Sequence, residues 1–224
     1  MTMVDRFPRG MVSVRVAAIA LCGAVLAGAG CADEPPLPAY QGTGVCFPVS
    51  IQPDPGGRYL YVAGANFDRS FRGGIVRAFD TQSDTYVPAT VEIGSFASAM
   101  EVQSRIGSDG KAKLRLFVAT RDDDAVTAVD VERTATGEPA LRCGGEQRAG
   151  CPEKCAEIAR FGGNDEGDLD IGNDPVELSL TANTQDTGDL LHVVGTTDGK
   201  VAIVALKDRK DGAIDVTAVG QTKH

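Results

Sequence analysis

Carboxylates, cysteines and one histidine are the side chains in this sequence whose types and spacing could do chemistry. The densest group is residues 164–174, which hold five Asp or Glu and two Asn side chains. Calcium binds such oxygen ligands, and the candidate ligands are Asp165, Asp168, Asp170 and Asp174. The stretch lacks the third acidic position and the distant Glu of an EF-hand loop. A solvated acidic loop is therefore the favoured interpretation, and a calcium site, the one cofactor that the sequence suggests, is the alternative.

The first 30 residues indicate export. Arg6, Arg9 and Arg15 precede an uncharged apolar stretch, residues 16–27, that ends in small residues, as in a secretory signal peptide. This apolar stretch is far shorter than the roughly 20 residues that a membrane-spanning helix needs. A signal peptide is therefore favoured over a permanent transmembrane anchor.

The end of this leader carries a second signal. Leu26-Ala-Gly-Ala-Gly-Cys31 resembles the lipobox of bacterial lipoproteins. The resemblance implies that Cys31 is lipidated and becomes the mature N-terminus, which anchors the protein in the cell envelope. Ala32 directly after Cys31, with the next Asp at position 33, is compatible with sorting to the outer membrane. Residues 32–44 are rich in Pro and Gly, which is typical of an extended tether. A plain secreted protein cleaved after Ala29 is the alternative, in which Cys31 is an ordinary thiol.

Export affects how the other cysteines are interpreted, because thiols outside the cytoplasm tend to be oxidised. The disulfide candidates are Cys46, Cys143, Cys151 and Cys155, and four cysteines allow three pairings. We expect Cys143 to bond either Cys151 or Cys155, which leaves Cys46 to pair with the remaining cysteine or to stay free. A zinc site is disfavoured, because the chain has two histidines and neither is near this segment in sequence.

The sequence contains no pattern for nucleophilic or phosphate chemistry. A Gly-x-Ser-x-Gly elbow, a phosphate-binding loop and a zinc motif are absent. His192 lies within an apolar run, where a core or sheet-face imidazole is commoner than a general base. The net charge of −9, from 22 basic and 31 acidic residues, disfavours a nucleic-acid partner. We therefore expect a non-catalytic protein.

The elements available to position these residues are short β-rich runs separated by Gly, Asp, Asn and Pro. The same order of strands recurs three times, which is the signature of stacked repeats. In the first unit the strands are expected at 58–64, 75–80 and from 86; in the second at 92–102, 113–120 and 125–130; in the third at 174–180, 189–196, 200–206 and 213–219.

The first unit resembles a known repeat. Pro53-Asp-Pro-Gly-Gly-Arg-Tyr-Leu-Tyr-Val62, a loop, and a strand ending in Phe79-Asp-Thr81 are similar to the repeat of YVTN, lactonase-like β-propellers. The resemblance extends over residues 49–219 and is weakest in the third unit. It implies an all-β fold, a β-propeller-like array of antiparallel four-stranded blades. Propellers close with typically four to eight blades, so an array of three is expected to be incomplete.

The predicted organisation has three parts: a signal peptide at 1–30, a tether at 31–45 and a propeller-like domain at 46–224. Within the domain the units are 46–90, 91–137 and 174–220, with a Cys-containing insertion at 138–173. A longer chain, completion by oligomerisation, and a twisted sandwich would each explain the small number of units, and we favour the first.

The leading functional prediction is a surface-anchored, non-catalytic propeller module held to the membrane by its N-terminal lipid. Its loops or central funnel would bind another protein or a cell-envelope component. One alternative, implied by the resemblance, is a lactonase-like hydrolase whose acidic groups hold a metal. The other is a truncated propeller fragment without independent function.

Overall fold

Short apolar runs separated by polar turns fold into three mainly antiparallel sheets. The computed structural model of the chain describes residues 37–106, 112–145, 152–163, 169–182, 188–209 and 214–223. Valine, isoleucine and aromatic side chains are frequent in the strands, as expected for a pleated, half-buried surface. Left-handed residues such as Gly57, Asp84 and Gly199 close the tight turns between strands.

Each sheet is built from strands that follow one another along the chain. Sheet 1 has the order β1-β2-β3-β4, with β9 beside β4; sheet 2 has β10-β7-β6-β5, with β8 also beside β7; sheet 3 has β11-β12-β13-β14. In sheet 1 the strands are β1 Pro48–Pro53, β2 Tyr59–Gly64, β3 Gly74–Asp80 and β4 Thr85–Ile93. In sheet 2 they are β5 Ala97–Ile106, β6 Ala112–Thr120, β7 Ala125–Arg133 and β8 Pro139–Arg142, followed by β9 Glu153–Lys154 and β10 Arg160–Gly162. In sheet 3 they are β11 Pro175–Thr181, β12 Asp189–Gly195, β13 Lys200–Asp208 and β14 Ile214–Lys223.

The first strands of the three sheets lie side by side. β5 contacts β1 on one side and β11 on the other, as the innermost strands of successive propeller blades do. The described sheets do not close into a barrel. The predicted fold class, an incomplete β-propeller-like array of antiparallel blades, is therefore confirmed.

The backbone repeats in detail at the start of each innermost strand. The residue just before the strand has a left-handed conformation in all three sheets, with φ of 47° at Phe47, 54° at Phe96 and 57° at Asp174. The carbonyl of each accepts a hydrogen bond from the residue that follows the second strand of its sheet, at 3.1, 3.2 and 3.2 Å. A register shift occurs within the first residues of β1, β5 and β11. The three sheets therefore share one local design despite their different sequences.

Two hydrophobic cores hold the sheets together, one on each face of sheet 2. Leu116 and Val118 of β6 pack toward sheet 1 with Tyr61, whereas Phe117 of the same strand packs toward sheet 3 with Leu191. Each fully buried side chain of this size contributes about 1.5–3 kcal/mol. Because both faces of sheet 2 are covered, residues 116–119 of β6 form a continuous apolar run.

One stretch that the sequence presented as a single inner strand is divided in the structure. Residues 92–102 contain the end of β4 and the start of β5, separated by Gly94–Phe96. The left-handed backbone of Phe96 breaks the strand, and its amide donates to the carbonyl of Ala65 at 2.7 Å. This turn starts the second sheet.

The Cys-containing segment belongs to the sheet framework. β8 pairs with residues 130–133 of β7, and β10 pairs with residues 125–127 of the same strand. Together they form the outer strand of sheet 2, and the excursion between them adds β9 in parallel to β4 of sheet 1. The segment therefore joins two sheets, which the strand pattern along the chain did not indicate.

Residues 39–46 pack against sheet 1. Ala39 and Tyr40 are buried, and Arg77 Nη1 donates to the carbonyls of Gly42 at 2.9 Å and Gly44 at 3.3 Å. The C-terminal part of the predicted tether thus covers one face of the first sheet.

Candidate binding face at the loop end

Both predicted calcium ligands that the structure describes pair with a cationic side chain. The Asp170 carboxylate pairs with Lys200, and the Asp174 carboxylate pairs with Arg121. Hydrogen bonds from Arg121 and Thr196 hold the pKa of Asp174 below its ordinary value. Asp165 and Asp168 lie outside the described residues. Within the described part of the chain, no three His, Cys, Asp or Glu side chains are grouped as metal ligands, and the calcium site stays a prediction.

The cysteines are partly resolved. Cys143 bonds Cys155, which is one of the two local pairings left open by the sequence. Cys46 is half-buried and forms no disulfide among the described residues. Cys31, the predicted lipidation site, and Cys151 lie outside the described residues.

The disulfide fixes the excursion that links sheets 1 and 2. The Glu153 carboxylate accepts hydrogen bonds from the amides of Cys143 at 2.9 Å and Gly145 at 3.0 Å. The amide of Cys155 donates to the carbonyl of Glu92 in β4 at 3.0 Å. The cross-link therefore holds a wall beside the first sheet, at the edge of a cleft described below.

One end of the sheets, here called the loop end, carries the connections with the most unusual backbone. Because the strands alternate in direction, residues 65–73, 94–96, 121–124 and 196–199 all lie at this end. Non-glycine residues with positive φ concentrate here; they are Phe47, Asn66, Arg69, Phe96, Asp124 and Asp174. A left-handed conformation costs an L-residue roughly 1–2 kcal/mol, and a bulky residue there is a genuine outlier. Clustered backbone strain of this kind is typical of functional surfaces.

Three phenylalanines form an aromatic cluster at the loop end. The ring of Phe67 lies 5.9 Å from that of Phe47 and 5.8 Å from that of Phe96, measured between centroids. Phe47 and Phe67 are each 45% exposed, although burial of such rings stabilises a protein substantially. The guanidinium of Arg69 lies over the Phe96 ring at 4.9 Å and also pairs with Asp122. The result is an exposed apolar surface with a charged border.

The loop that presents Phe67 is held in place from within. Asn66 is buried and donates to the Phe71 carbonyl at 2.8 Å and to Ser95 Oγ at 3.2 Å. Its Oδ1 accepts from the Phe71 amide at 3.2 Å. These bonds fix both sides of the loop, so the cluster is preorganised for binding, which lowers the entropy cost of association.

A charged cleft of about 190 Å³ opens at the same end, between sheets 1 and 2. It is lined by Arg72, Glu92, Ile93, Gly94, Ser95, Asp122, Asp123, Lys154, Cys155 and Arg160. Arg72 pairs with Glu92 at 2.9 Å, and Arg160 pairs with Asp123 at 2.5 Å. The Nε atoms of both arginines are buried and have no hydrogen-bond partner among the described residues. The cleft is therefore a polar surface in which both arginines already have a carboxylate partner.

Burial raises the pKa of Asp123 above its ordinary value, while a hydrogen bond from Thr120 and the charge of Arg160 act in the opposite direction. The charges of the cleft nearly balance, with three cationic and three acidic side chains. This arrangement suits a ligand surface that carries both positive and negative groups better than a simple anion or cation.

The aromatic cluster was missed by reasoning from the sequence. Phe67 follows Asn66 and Phe96 follows Ser95, outside the alternating strand pattern, and these positions were the available signal. The three rings meet because β1 and β5 begin, and β2 ends, at the loop end.

No known family model matches the chain, and no curated protein matches it significantly. Among the described residues, no helix has the length and hydropathy needed to cross a bilayer.

Proposed function

We propose that the chain is an exported, surface-anchored, propeller-like lipoprotein module that binds a protein or a cell-envelope component at its loop end. One observation carries this proposal: two exposed phenylalanines and a third half-buried one are held together on strained, hydrogen-bonded loops. Exposed, preorganised aromatic groups are typical centres of binding interfaces. The charged cleft beside them supplies the polar border that such interfaces have.

The anchoring part of the proposal rests on the leader sequence and on Cys31. An oxidised Cys143–Cys155 pair is compatible with export, because disulfides persist mainly outside the cytoplasm. The loop end would bind without chemical conversion of the ligand. The pairing of cations with carboxylates in the cleft supports a role in recognition.

Site-specific photo-cross-linking in the native host tests the binding face. A photoreactive amino acid at Phe67 should give a discrete adduct with an envelope component, because the ring is exposed at the centre of the proposed interface. The matched control places the same group at Gln82, an exposed residue in the turn at the opposite end of sheet 1. Adducts of equal yield at both positions, or none at Phe67, would contradict the proposal.

The anchor has a separate test. Cys31→Ser should release the chain from membranes into the soluble fraction while its far-ultraviolet circular dichroism stays unchanged, since residue 31 precedes every described strand. Retention of this variant in membranes would remove the lipid anchor from the proposal and leave the binding face untouched.

A further inference from the structure

The open side of sheet 3 presents residues at the same register positions as those that join the other sheets. Matching the strand registers aligns Tyr61, Phe117 and His192 on the second strands of sheets 1, 2 and 3. Tyr61 and Phe117 are fully buried against the following sheet. His192 and its neighbours on the same face, Leu190 and Val194, are only half-buried, and no described element packs against them.

The next strand shows the same equivalence. Val76 of β3 and Val126 of β7 are fully buried between sheets. Their counterpart in β13 is Val201, which is half-buried, as is Ile203 on the same face. We call Leu190, His192, Val194, Val201 and Ile203 the donor face of sheet 3.

Sheet 1 carries the complementary half of this repeated interface. By register, Ile51 of β1 corresponds to Met100 of β5 and Leu178 of β11. Met100 and Leu178 are each 2% exposed and pack against the preceding sheet, whereas Ile51 is 57% exposed. Leu60, the counterpart of the buried Leu116, is half-buried.

The remainder of that side of sheet 1 is covered by residues 39–46. These residues lie over Arg77 and Gly64, toward the loop end and the outer strands. Ile51 and Leu60 are left as the receiving face of sheet 1, beside the innermost strand. An incoming sheet would therefore centre its contact there.

We propose that the occupant of both faces is a second copy of this chain, joined head to tail, so that each donor face packs on the other copy's receiving face. The three sheets of the described residues, taken from each of two copies, give six, within the four to eight that close a propeller. Head-to-tail contacts form a ring when the rotation between copies closes. This contact would have the same strand register as the two interfaces within one chain, between sheets 1 and 2 and between sheets 2 and 3. The proposal rests on the fold and is independent of ligand binding at the loop end.

A polar contact can be placed across the same interface. Within one chain, Gln52 Nε2 donates to the carbonyl of Met100 at 2.6 Å, from sheet 1 to sheet 2. By register, Ser179 of sheet 3 corresponds to Gln52, and Ile51 corresponds to Met100. Ser179 of one copy should therefore lie beside Ile51 of the second copy.

The test uses the full chain carrying Cys31→Ser, which removes the predicted lipid site and leaves every described residue in place. Light scattering and sedimentation should give twice the mass of one chain. Ile203→Asp should weaken self-association by about 100-fold or more, because it places an unpaired charge in a buried apolar contact. Ile106→Asp is the matched control, since Ile106 is 70% exposed and lies outside both faces, and it should leave the dimer unchanged.

A second measurement keeps the test independent of any loss of folding in Ile203→Asp. A photoreactive amino acid at Ser179 should cross-link to residues 48–60 of the second copy, mapped by mass spectrometry. A protein that stays monomeric at all concentrations would overturn the proposal and indicate that a sheet from a different chain fills the place. A dimer whose cross-links map to residues 190–203 of the second copy would also overturn it, since that result means a face-to-face arrangement of two donor faces.

Discussion

Removal of the Cys143–Cys155 bond should lower the free energy of unfolding by about 3 kcal/mol. The two cysteines are separated by 12 residues. In the loop-entropy treatment, closing a loop of this size removes roughly 9–10 cal/mol/K from the unfolded chain, which is about 3 kcal/mol at room temperature. For a domain of this size, 1 kcal/mol shifts Tm by about 2–4 °C, so Tm should fall by about 6–12 °C.

In addition to this global loss, exchange protection should fall locally where the segment between β8 and β10 meets sheets 1 and 2. The amides of Cys155 and Ala156 donate to carbonyls of Glu92 and Cys143, and these bonds depend on the position that the disulfide fixes. Hydrogen exchange at both amides should accelerate in the variant. The amides of β12 and β13 in sheet 3 should lose no more protection than the fall of about 3 kcal/mol in global stability explains, because that sheet has no described contact with the bridge.

The assay compares Cys143→Ser/Cys155→Ser with the parent by thermal and urea unfolding. Cys46→Ser is the matched control, since it removes a thiol that forms no described disulfide. A loss below about 1 kcal/mol would refute the loop-entropy reasoning. A loss of exchange protection in sheet 3 larger than the measured fall in global stability would refute the local role of the bridge.

Three further predictions concern single side chains. Burial raises the pKa of Asp123, so the folded protein binds this proton more tightly than the unfolded chain does. The free energy of unfolding should therefore fall as pH rises from about 4 through the raised pKa. Asp123→Asn should make this fall smaller, as measured by urea unfolding at a series of pH values. Arg115 is 2% exposed and binds Asp130 at 2.7 Å and Asp208 at 3.0 Å. Arg115→Ala should lower the free energy of unfolding by about 2–3 kcal/mol, which is less than for a fully buried pair because both carboxylates are partly exposed. An unchanged midpoint of urea unfolding would contradict this prediction. Burial raises the pKa of Tyr61 to about 12. The stability that its neutral form contributes is therefore complete below the unfolded pKa of about 10 and is lost as pH rises through 12. An ultraviolet titration in which all four tyrosines ionise together, before the protein unfolds, would contradict this prediction.

The strands could be predicted from the sequence where pairing is local. β2, β3 and β12 were expected almost at their observed bounds, because aromatic and β-branched runs next to tight turns form hairpins with their nearest neighbours. The all-β class and the incomplete array followed from the same repetition. β8, β9 and β10 were not predicted, because their own runs are too short to show a pattern. The partners of β9 and β10, which are β4 and β7, are also distant in sequence.

The candidate site was less accessible from the sequence. The acidic stretch drew attention to residues 164–174, whereas the rings of Phe47, Phe67 and Phe96 showed no common motif and come from three separate connections. Their proximity depends on the shared end of β1, β2 and β5. The left-handed backbone at Phe47 and Phe96 was also invisible in the sequence, because positive φ is usually signalled by Gly, Asn or Asp.

Binding of the purified Cys31→Ser chain to isolated cell envelopes tests the central claim most directly. The parent should bind saturably, and Phe47→Ser/Phe67→Ser should weaken binding at least about tenfold, because each ring buried in an interface contributes about 1.5–3 kcal/mol. Ile106→Ser, which removes an exposed apolar side chain outside the loop end, should bind like the parent. Equal binding by the double variant and the parent would contradict the assignment of the loop end as the binding face.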